Sequence, residues 1–209
     1  MIKIHIADDH AIVRHGLKKI VEVDGAMAVV SDAQDGGELI DAIRREMVDV
    51  VILDLSMPGR NGLEILKDLK RLYANLPVII LSMHPEDQYA VRAFRAGASG
   101  YMTKESAPEE LVKAIKLVYD GGKYISPAVA DLLADHIGID GTDEPHRLLS
   151  DREYEVFIML ARGKTVGHIA IELNLSAKTI STYRTRIMEK MGMSANAELT
   201  RYALDFDLV

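Results

Sequence analysis

Between residues 1 and 122, the hydrophobic positions of the chain alternate between two periods. Short apolar runs predict strands at residues 2–7, 28–33, 49–54, 77–82 and 97–103. Between these runs, apolar residues recur at helical spacing, and Gly and Pro residues stand at the turns. Strands and helices in strict alternation predict an α/β fold, a doubly wound five-stranded parallel sheet.

The sequence predicts which face of the first helix is buried and which residue begins the last helix before residue 122. One face of the first helix carries five apolar side chains, Ile12, Val13, Leu17, Ile20 and Val21. We expect that face to pack on the sheet. In the predicted helix that follows the fifth strand, Ser106 and Glu109 have the spacing of a capping box around Pro108. We therefore expect Ser106 to be the N-cap of that helix.

From residue 148 onward the hydrophobic period is helical throughout. Ser150 and Glu153 have the spacing of a capping box, a short helix should follow at residues 166–173, and Ser176 should cap a longer one. The outward face of the longer helix is polar and basic, with Lys178, Ser181, Thr182, Thr185 and Arg186. Two helices joined by a tight turn describe a helix-turn-helix unit, and from periodicity alone a plain helical bundle with a solvated face fits equally well.

Residues 123–146 have the composition of a linker between two domains, at 1–122 and 147–209. Ser126-Pro127 opens a short helix that should run through Val129 to Ile137. The stretch 138–145 is acidic and rich in helix breakers, so we expect it to be flexible and to contain the domain boundary.

Composition narrows the class of protein. The chain has 209 residues and no cysteine, so neither disulfides nor thiolate metal sites are available. It has no signal-peptide pattern and no apolar stretch long enough for a membrane span, and we expect a cytoplasmic protein. The net charge of −7 would argue against nucleic acid if it were evenly spread. Residues 148–209, however, have no net charge, and residues 176–190 are locally basic. Local rather than total charge determines whether a surface binds the phosphates of a nucleic acid.

Acidic residues follow two of the predicted strands directly. Asp8 and Asp9 end the first, and Asp54 ends the third, a run of four apolar residues. In a doubly wound sheet these strand ends are neighbours at the switch point, where ligands bind. Three carboxylates in one pocket repel each other and need a cation, and oxygen ligands of this kind suit Mg²⁺. Taken alone, Asp54 could equally start a turn.

A hydroxyl and an amine belong to the same edge of the predicted sheet. Ser82 ends the fourth strand, and Lys104 follows the fifth. A hydroxyl donor and an ammonium group beside a magnesium-bound carboxylate can stabilise the charge of a phosphoryl group during transfer. The edge therefore predicts a phosphoryl-transfer site.

With these residues, the first 122 positions resemble the receiver domain of bacterial two-component response regulators, which has a flavodoxin-like fold. The resemblance implies that Asp54 is the phosphoacceptor for a sensor histidine kinase. It implies that Asp9 ligates Mg²⁺ directly, that Asp8 assists through water, and that the backbone carbonyl of Ser56 is a further ligand. It also implies that Ser82 and Tyr101 form a switch pair, which responds to phosphorylation by a change in the fourth and fifth helices and the fifth strand.

Two histidines stand beside this set. We expect His84 to be an exposed loop residue, with an effect on loss of the phosphoryl group or a contact with the kinase as the alternative. We expect His10 to start a helix rather than to bind a metal ion.

The C-terminal third resembles the LuxR-type helix-turn-helix domain, on Leu149 to Val156, Lys178-Thr-Ile180 and Lys190-Met-Gly192 among other matches. The whole chain thus resembles the NarL/FixJ family of transcription regulators. The resemblance implies that residues 176–191 enter the major groove of double-stranded DNA. Base edges would be read by Ser181, Thr182 and Thr185, and phosphates would be held by Lys178, Thr179, Tyr183, Arg186 and Lys190. Several relatives have lysines at the positions of Ser181 and Thr185, so the operator sequence does not carry over.

Our hypothesis is a regulator, not an enzyme, that is phosphorylated on Asp54 and binds paired DNA half-sites as a homodimer, with RNA polymerase as a further candidate partner. One edge of the last predicted helix, residues 195–206, should pack on the domain, and the rest would pair two copies, as the resemblance implies; the alternative is that the whole helix belongs to the domain core. One alternative is a haloacid dehalogenase-type phosphatase, but that chemistry needs a second acid where this chain has Ser56. Another is a phosphorylation-independent regulator whose receiver only dimerises.

Overall fold

The structure, a computed structural model, describes residues 1–57, 59–135 and 144–209 of the chain. By internal contacts the chain divides into two compact units, Met1–His136 and Ile137–Val209. Among the described residues, no helix is both long and apolar enough to cross a membrane.

The first unit contains a five-stranded parallel sheet with a helix between successive strands. The strands are β1 (Ile2–Ala7), β2 (Met27–Ala33), β3 (Val50–Leu53), β4 (Val78–Ser82) and β5 (Gly100–Thr103). The helices are α1 (Ala11–Val23), α2 (Gly36–Arg45), α3 (Gly62–Leu72), α4 (Glu86–Arg95) and α5 (Pro108–Tyr119). The strand order is β2-β1-β3-β4-β5 and every pair is parallel, which confirms the predicted doubly wound sheet.

Strand β3 lies at the centre of the sheet, between β1 and β4. All four of its residues are buried, as the continuous apolar run predicts. The register pairs Ala7 of β1 with Leu53 of β3, and the amide of Asp54 donates to the carbonyl of Ala7 at 2.8 Å. Asp8 and Asp54, which directly follow these two neighbouring strands, therefore lie side by side at the same edge of the sheet.

Two expectations about the helices of this unit are wrong. Leu17 and Val21 of α1 are buried, but Ile12 is 88% exposed. At about 100° per residue, Ile12 lies on the side of the helix opposite Val21. At α5, the N-cap is Ala107, whose side chain makes no capping bond, and not Ser106. Pro108 fits best as the first helical residue, which moves the start of the helix one position along the chain.

The chain that follows α5 stays attached to the first unit. Tyr124 forms a parallel bridge with Gly100 at the edge of β5. Ser126 accepts from the amide of Val129 at 3.2 Å and caps α6 (Pro127–Asp135), which packs against α4. Val129 is fully buried. Ile137 and most of the stretch expected to be flexible lie outside the described residues; Pro145 begins a short 3-10 helix.

In the second unit, the described residues from 149 onward form four α-helices. They are α7 (Asp151–Ala161), α8 (Val166–Glu172), α9 (Ala177–Met191) and α10 (Asn196–Asp205). The capping box of α7 is confirmed, because the side chain of Ser150 accepts a hydrogen bond from the amide of Glu153, and the side chain of Glu153 accepts one from the amide of Ser150. Asn174, with φ of 52°, makes the turn between α8 and α9, and Ser176 caps α9 through the amide of Thr179 at 3.0 Å.

Apolar side chains from all four helices form one core in this unit. The buried residues include Val156, Met159, Leu160, Ile169, Leu173, Ile180, Ile187, Met191, Leu199 and Ala203. Within each helix they recur mostly at spacings of three or four residues, as expected for the helical period of this part of the chain. Leu204 and Phe206, near the end of α10, are 59% and 43% exposed.

Candidate functional site

The carboxyl ends of β1 and β3 bring three acidic side chains into one cluster. One oxygen from each of Asp8, Asp9 and Asp54, together with a ring nitrogen of His10, lies within 4.8 Å of all the others. Asp8 and Asp54 are only 2% and 1% exposed, whereas the side chain of Asp9 is 29% exposed. The cluster thus has a buried floor and one open side.

Lys104 bridges the two buried acids. Its Nζ lies 2.6 Å from Oδ2 of Asp8 and 2.8 Å from Oδ2 of Asp54, and its side chain is 8% exposed. The amide of Lys104 donates to the carbonyl of Ser82 at 2.8 Å, which fixes the start of the side chain at the end of β4. The amine therefore supplies the positive charge that the two acids need in a poorly hydrated pocket.

Burial and the ion pairs shift two pKa values in this cluster. Burial raises the pKa of Asp54 above its usual range, and Lys104 opposes this shift only in part. For Lys104, burial disfavours the charged amine, but attraction to Asp54 and hydrogen bonds to both acids outweigh it and raise its pKa. Another cation close to the cluster would lower the pKa of Asp54 and favour its ionised form.

The donor set fits Mg²⁺. The acids offer hard oxygen ligands at the spacing of a single ion, and the open side at Asp9 leaves room for water and a ligand oxygen. His10 stands at the N-cap position of α1, as expected, but its Nδ1 lies 2.6 Å from Oδ1 of Asp9. The carbonyl of Ser56 remains a predicted ligand; the amide of Ser56 donates to Oδ1 of Asp54 at 3.2 Å.

The predicted switch residues, Ser82 and Tyr101, are both fully buried, and both bind the backbone of His84. Oγ of Ser82 accepts from the amide of His84 at 3.1 Å. The hydroxyl of Tyr101 donates to the carbonyl of His84 at 3.0 Å. The loop between β4 and α4 is thus held from both sides by the two side chains that were expected to act together.

His84 is not the exposed loop residue that we expected. Its Nε2 lies 3.2 Å from Oγ of Ser56, and its ring packs 4.8 Å from the ring of Tyr89, centroid to centroid. The residue is half-buried. The contact joins two loops that are 28 residues apart in the chain, and no local pattern signals it.

Arg14 is a further residue at this site that sequence reasoning did not identify. Its Nη1 donates to the carbonyl of Asp8 at 2.7 Å, and its Nε donates to Asp32 at 2.6 Å. The arginine therefore ties the first turn of α1 to the ends of β1 and β2. Helical spacing from His10 could have suggested this position, because residues four apart share one face.

The second unit presents the polar face of α9 that the sequence predicts. The side chains of Lys178, Ser181, Thr182, Thr185 and Arg186 are all exposed. The face opposite them carries Ile180 and Ile187, which are fully buried in the core. The helix thus offers solvent a row of hydroxyl groups with one cation towards each end.

The other three predicted phosphate contacts are in part engaged within the domain. Nζ of Lys190 lies 2.6 Å from Oε2 of Glu153 and also donates to the carbonyl of Leu148. Oγ1 of Thr179 pairs with Oγ of Ser176 at 2.8 Å. Tyr183 is half-buried. Lys178 and Arg186 are exposed cations on this helix that take part in none of these contacts.

Comparison with known proteins matches two separate parts of the chain. Residues 4–116 match the response regulator receiver domain, and residues 147–203 match the luxR family of bacterial regulatory proteins. The response regulator UvrY of Escherichia coli K12 is 38% identical over 98% of this chain and 94% of its own length. The response regulator GacA of Pseudomonas syringae pv. syringae is 38% identical over 100% of this chain and 98% of its own.

A similar structure comes from RcsB of Salmonella enterica serovar Typhimurium, bound to promoter P1flhDC in the presence of the phosphomimetic BeF3-. It covers 96% of this chain and 97% of its own, with 31% sequence identity and a TM-score of 0.65. Both domains are thus matched, and relatives are matched over nearly their whole length. The chain therefore belongs to the NarL/FixJ family: it is a two-component response regulator in which a receiver domain precedes a LuxR-type DNA-binding domain, a protein of transcription regulation.

Proposed function

We propose that a sensor histidine kinase phosphorylates this protein on Asp54 in the presence of Mg²⁺. We further propose that the phosphorylated protein binds double-stranded DNA as a homodimer in the cytoplasm. The observation that carries the first step is the placement of Asp54, at the end of the central strand with Asp8 beside it and Lys104 within 2.8 Å. A carboxylate with this set of neighbours is equipped to take up a phosphoryl group.

In the proposed reaction, a carboxylate oxygen of Asp54 attacks the phosphorus atom of a phosphohistidine. The P–N bond breaks, and the imidazole leaves and takes up a proton from water. Asp8, Asp9 and Asp54, with the carbonyl of Ser56, would hold Mg²⁺, which neutralises charge on the phosphoryl oxygens when it is bound. Lys104 is positioned to bind one of these oxygens, because its amine already contacts Asp54.

Ser82 would then report the phosphoryl group to the rest of the domain. Its hydroxyl would leave the amide of His84, to which it is now bonded, and donate to a phosphoryl oxygen. Tyr101, bonded to the carbonyl of the same residue, would change position with that loop. The phosphoryl group thus biases a two-state element by contacts that only one state makes.

Intact-mass measurement tests this chemistry. The wild type, incubated with Mg²⁺ and acetyl phosphate, should gain one phosphoryl group, whereas Asp54→Asn should gain none. A wild type that stays unmodified with both acetyl phosphate and phosphoramidate would contradict the proposal and favour a regulator that works without phosphorylation. Release of phosphate with continuous turnover would instead favour a phosphatase.

For the DNA-binding half, we propose that α9 enters the major groove. Ser181, Thr182 and Thr185 would face base edges, and Lys178 and Arg186 would hold phosphates, with Thr179, Tyr183 and Lys190 at the margin of the contact. The exposure of the first five side chains on one face of α9 supports this assignment. Phosphorylation should raise the fraction of the protein that is dimeric, which sedimentation velocity would measure. RNA polymerase is a candidate partner of the DNA-bound dimer.

A further inference from the structure

Two exposed threonines, Thr182 and Thr185, occupy the middle of the polar face of α9. Each hydroxyl is bonded within the helix. Oγ1 of Thr182 donates to the carbonyl of Lys178 at 3.0 Å, and Oγ1 of Thr185 donates to the carbonyl of Ser181 at 3.1 Å. Because a carbonyl oxygen can only accept, the hydroxyl hydrogen must lie in each of these bonds.

These internal bonds limit what the two side chains offer to a ligand. A hydroxyl group has one hydrogen, so neither threonine has a donor left for a base while the helix bond is kept. What remains on each is a pair of acceptor lone pairs and a γ-methyl group. Thr182 and Thr185 therefore present an apolar and accepting surface, whereas Lys178, Ser181 and Arg186 on the same face carry donors.

Base pairs differ in how well they meet such a surface. In the major groove, guanine presents two acceptors, O6 and N7, which need donors. Thymine presents its C5-methyl group, and adenine presents the amino group N6 as a donor. Cytosine also presents an amino donor, N4, so an acceptor lone pair alone does not distinguish A·T from G·C pairs. The γ-methyl group does, because only thymine offers a methyl group to pack against, and guanine O6 and N7 find no donor on either threonine.

We propose that Thr182 and Thr185 select A·T base pairs at the centre of each DNA half-site, by packing their γ-methyl groups against thymine methyl groups. The inference rests on the proposed function, in that α9 must enter the major groove. It goes further in that it names the chemistry that the operator must present to this chain. Guanine contacts are left to the donors of Lys178, Ser181 and Arg186 on the same helix face.

A selection experiment with the full-length protein tests this specificity. The protein, treated with acetyl phosphate and Mg²⁺, is incubated with a pool of random DNA duplexes, and the bound duplexes are sequenced. The best duplex is then remade with deoxyuridine in place of each thymidine in turn, which removes only the methyl group. We expect one or two central positions per half-site to lose affinity by about fourfold, the effect of one buried methyl group.

Paired variants assign each position to its side chain. Thr185→Ser keeps the hydroxyl and removes the methyl group, whereas Thr185→Val keeps the methyl group and removes the hydroxyl. At the thymidine that Thr185 contacts, replacement by deoxyuridine should not change the affinity of the serine variant but should still lower that of the valine variant. Thr182→Ser and Thr182→Val test the other threonine in the same way. Lys178→Ala is the control, because it should weaken binding to both duplexes by the same factor.

The outcomes separate the inference from the function beneath it. Enrichment of no sequence would overturn both the proposed DNA binding and this inference. Enrichment of half-sites with central G·C pairs, or equal binding of every deoxyuridine duplex by the wild type, would overturn the inference and leave DNA binding intact. The deoxyuridine series uses the wild type alone, so it decides even if a variant fails to fold.

Discussion

Replacing Lys104 with methionine should destabilise the receiver domain and make its stability more dependent on Mg²⁺. The substitution keeps an unbranched side chain but removes the amine that bridges Asp8 and Asp54. Both carboxylates are at least 98% buried, so water cannot replace the lost charge. The variant must therefore hold two adjacent acids without a cation, or protonate one of them.

The size of the effect follows from that burial. Removal of one partner from a buried ion pair costs about 3–5 kcal/mol, and we expect about 3 kcal/mol because the pocket is open at Asp9. Saturating Mg²⁺ should restore most of this, since a ligand at a hundred times its Kd contributes about 2.7 kcal/mol. Burial already raises the pKa of Asp54, and a carboxyl group with a raised pKa is more stable folded when protonated. The destabilisation should therefore shrink as the pH falls from neutral to mildly acidic.

Hydrogen exchange followed by mass spectrometry measures this change in the full chain, because peptides that cover residues 50–53 report on the sheet alone. Lys116→Met is a matched control. Its amine also lies 2.8 Å from an aspartate, but that pair is at the surface, with 48% and 21% of the two side chains exposed. The control should change the free energy of opening by no more than about 1 kcal/mol. Equal effects of the two substitutions, or no recovery with Mg²⁺, would refute the electrostatic account of this site.

Further predictions concern a close backbone contact at the start of α3, the N-cap of α7 and the DNA contacts. Gly62→Ala should destabilise the first domain by about 1–3 kcal/mol, because its Cβ would lie 2.5 Å from the backbone oxygen of Asp54, whereas Gly16→Ala in α1, with open space around it, should stabilise by about 0.5–1 kcal/mol; urea denaturation compares the two. Ser150→Ala should lower the stability of the second domain by about 1 kcal/mol, seen as faster amide exchange in α7. Lys178→Ala and Arg186→Ala should each reduce the slope of log affinity against log salt by about one, and an unchanged slope would mean that these side chains do not contact the DNA backbone.

Much of the fold follows from patterns that act over a few residues. The continuous apolar run of β3 predicted a central strand because only a strand buried on both faces tolerates such a run. The capping box at Ser150 predicted the start of α7 because both of its bonds are local. The strand order that these runs predict places Asp8 and Asp54 at one switch point, and in the structure their side chains lie in one cluster.

Features that depend on contacts between distant segments were not predictable in the same way. The sequence has no signal for the approach of His84 to Ser56, because two separate loops bring these residues together.

Exposure of Ile12 was missed because this apolar residue, in the first turn of α1, was assigned to the buried face, which begins one residue later. The bonds within α9 that involve Thr182 and Thr185 are also invisible in the sequence, since threonine can use its hydroxyl inside or outside a helix.

The hydroxyl of Ser126 donates to the carboxylate of Glu86 at 2.5 Å, at the first residue of α4. The polypeptide that leads out of the receiver domain is thereby tethered two residues from His84, whose backbone Ser82 and Tyr101 hold. The bond between Ser126 and Glu86 is one of the contacts that hold α6 against α4, so a rearrangement of that loop would act on the start of α6. The start of the interdomain chain is thus bonded to the first residue of the helix that follows the loop held by Ser82 and Tyr101.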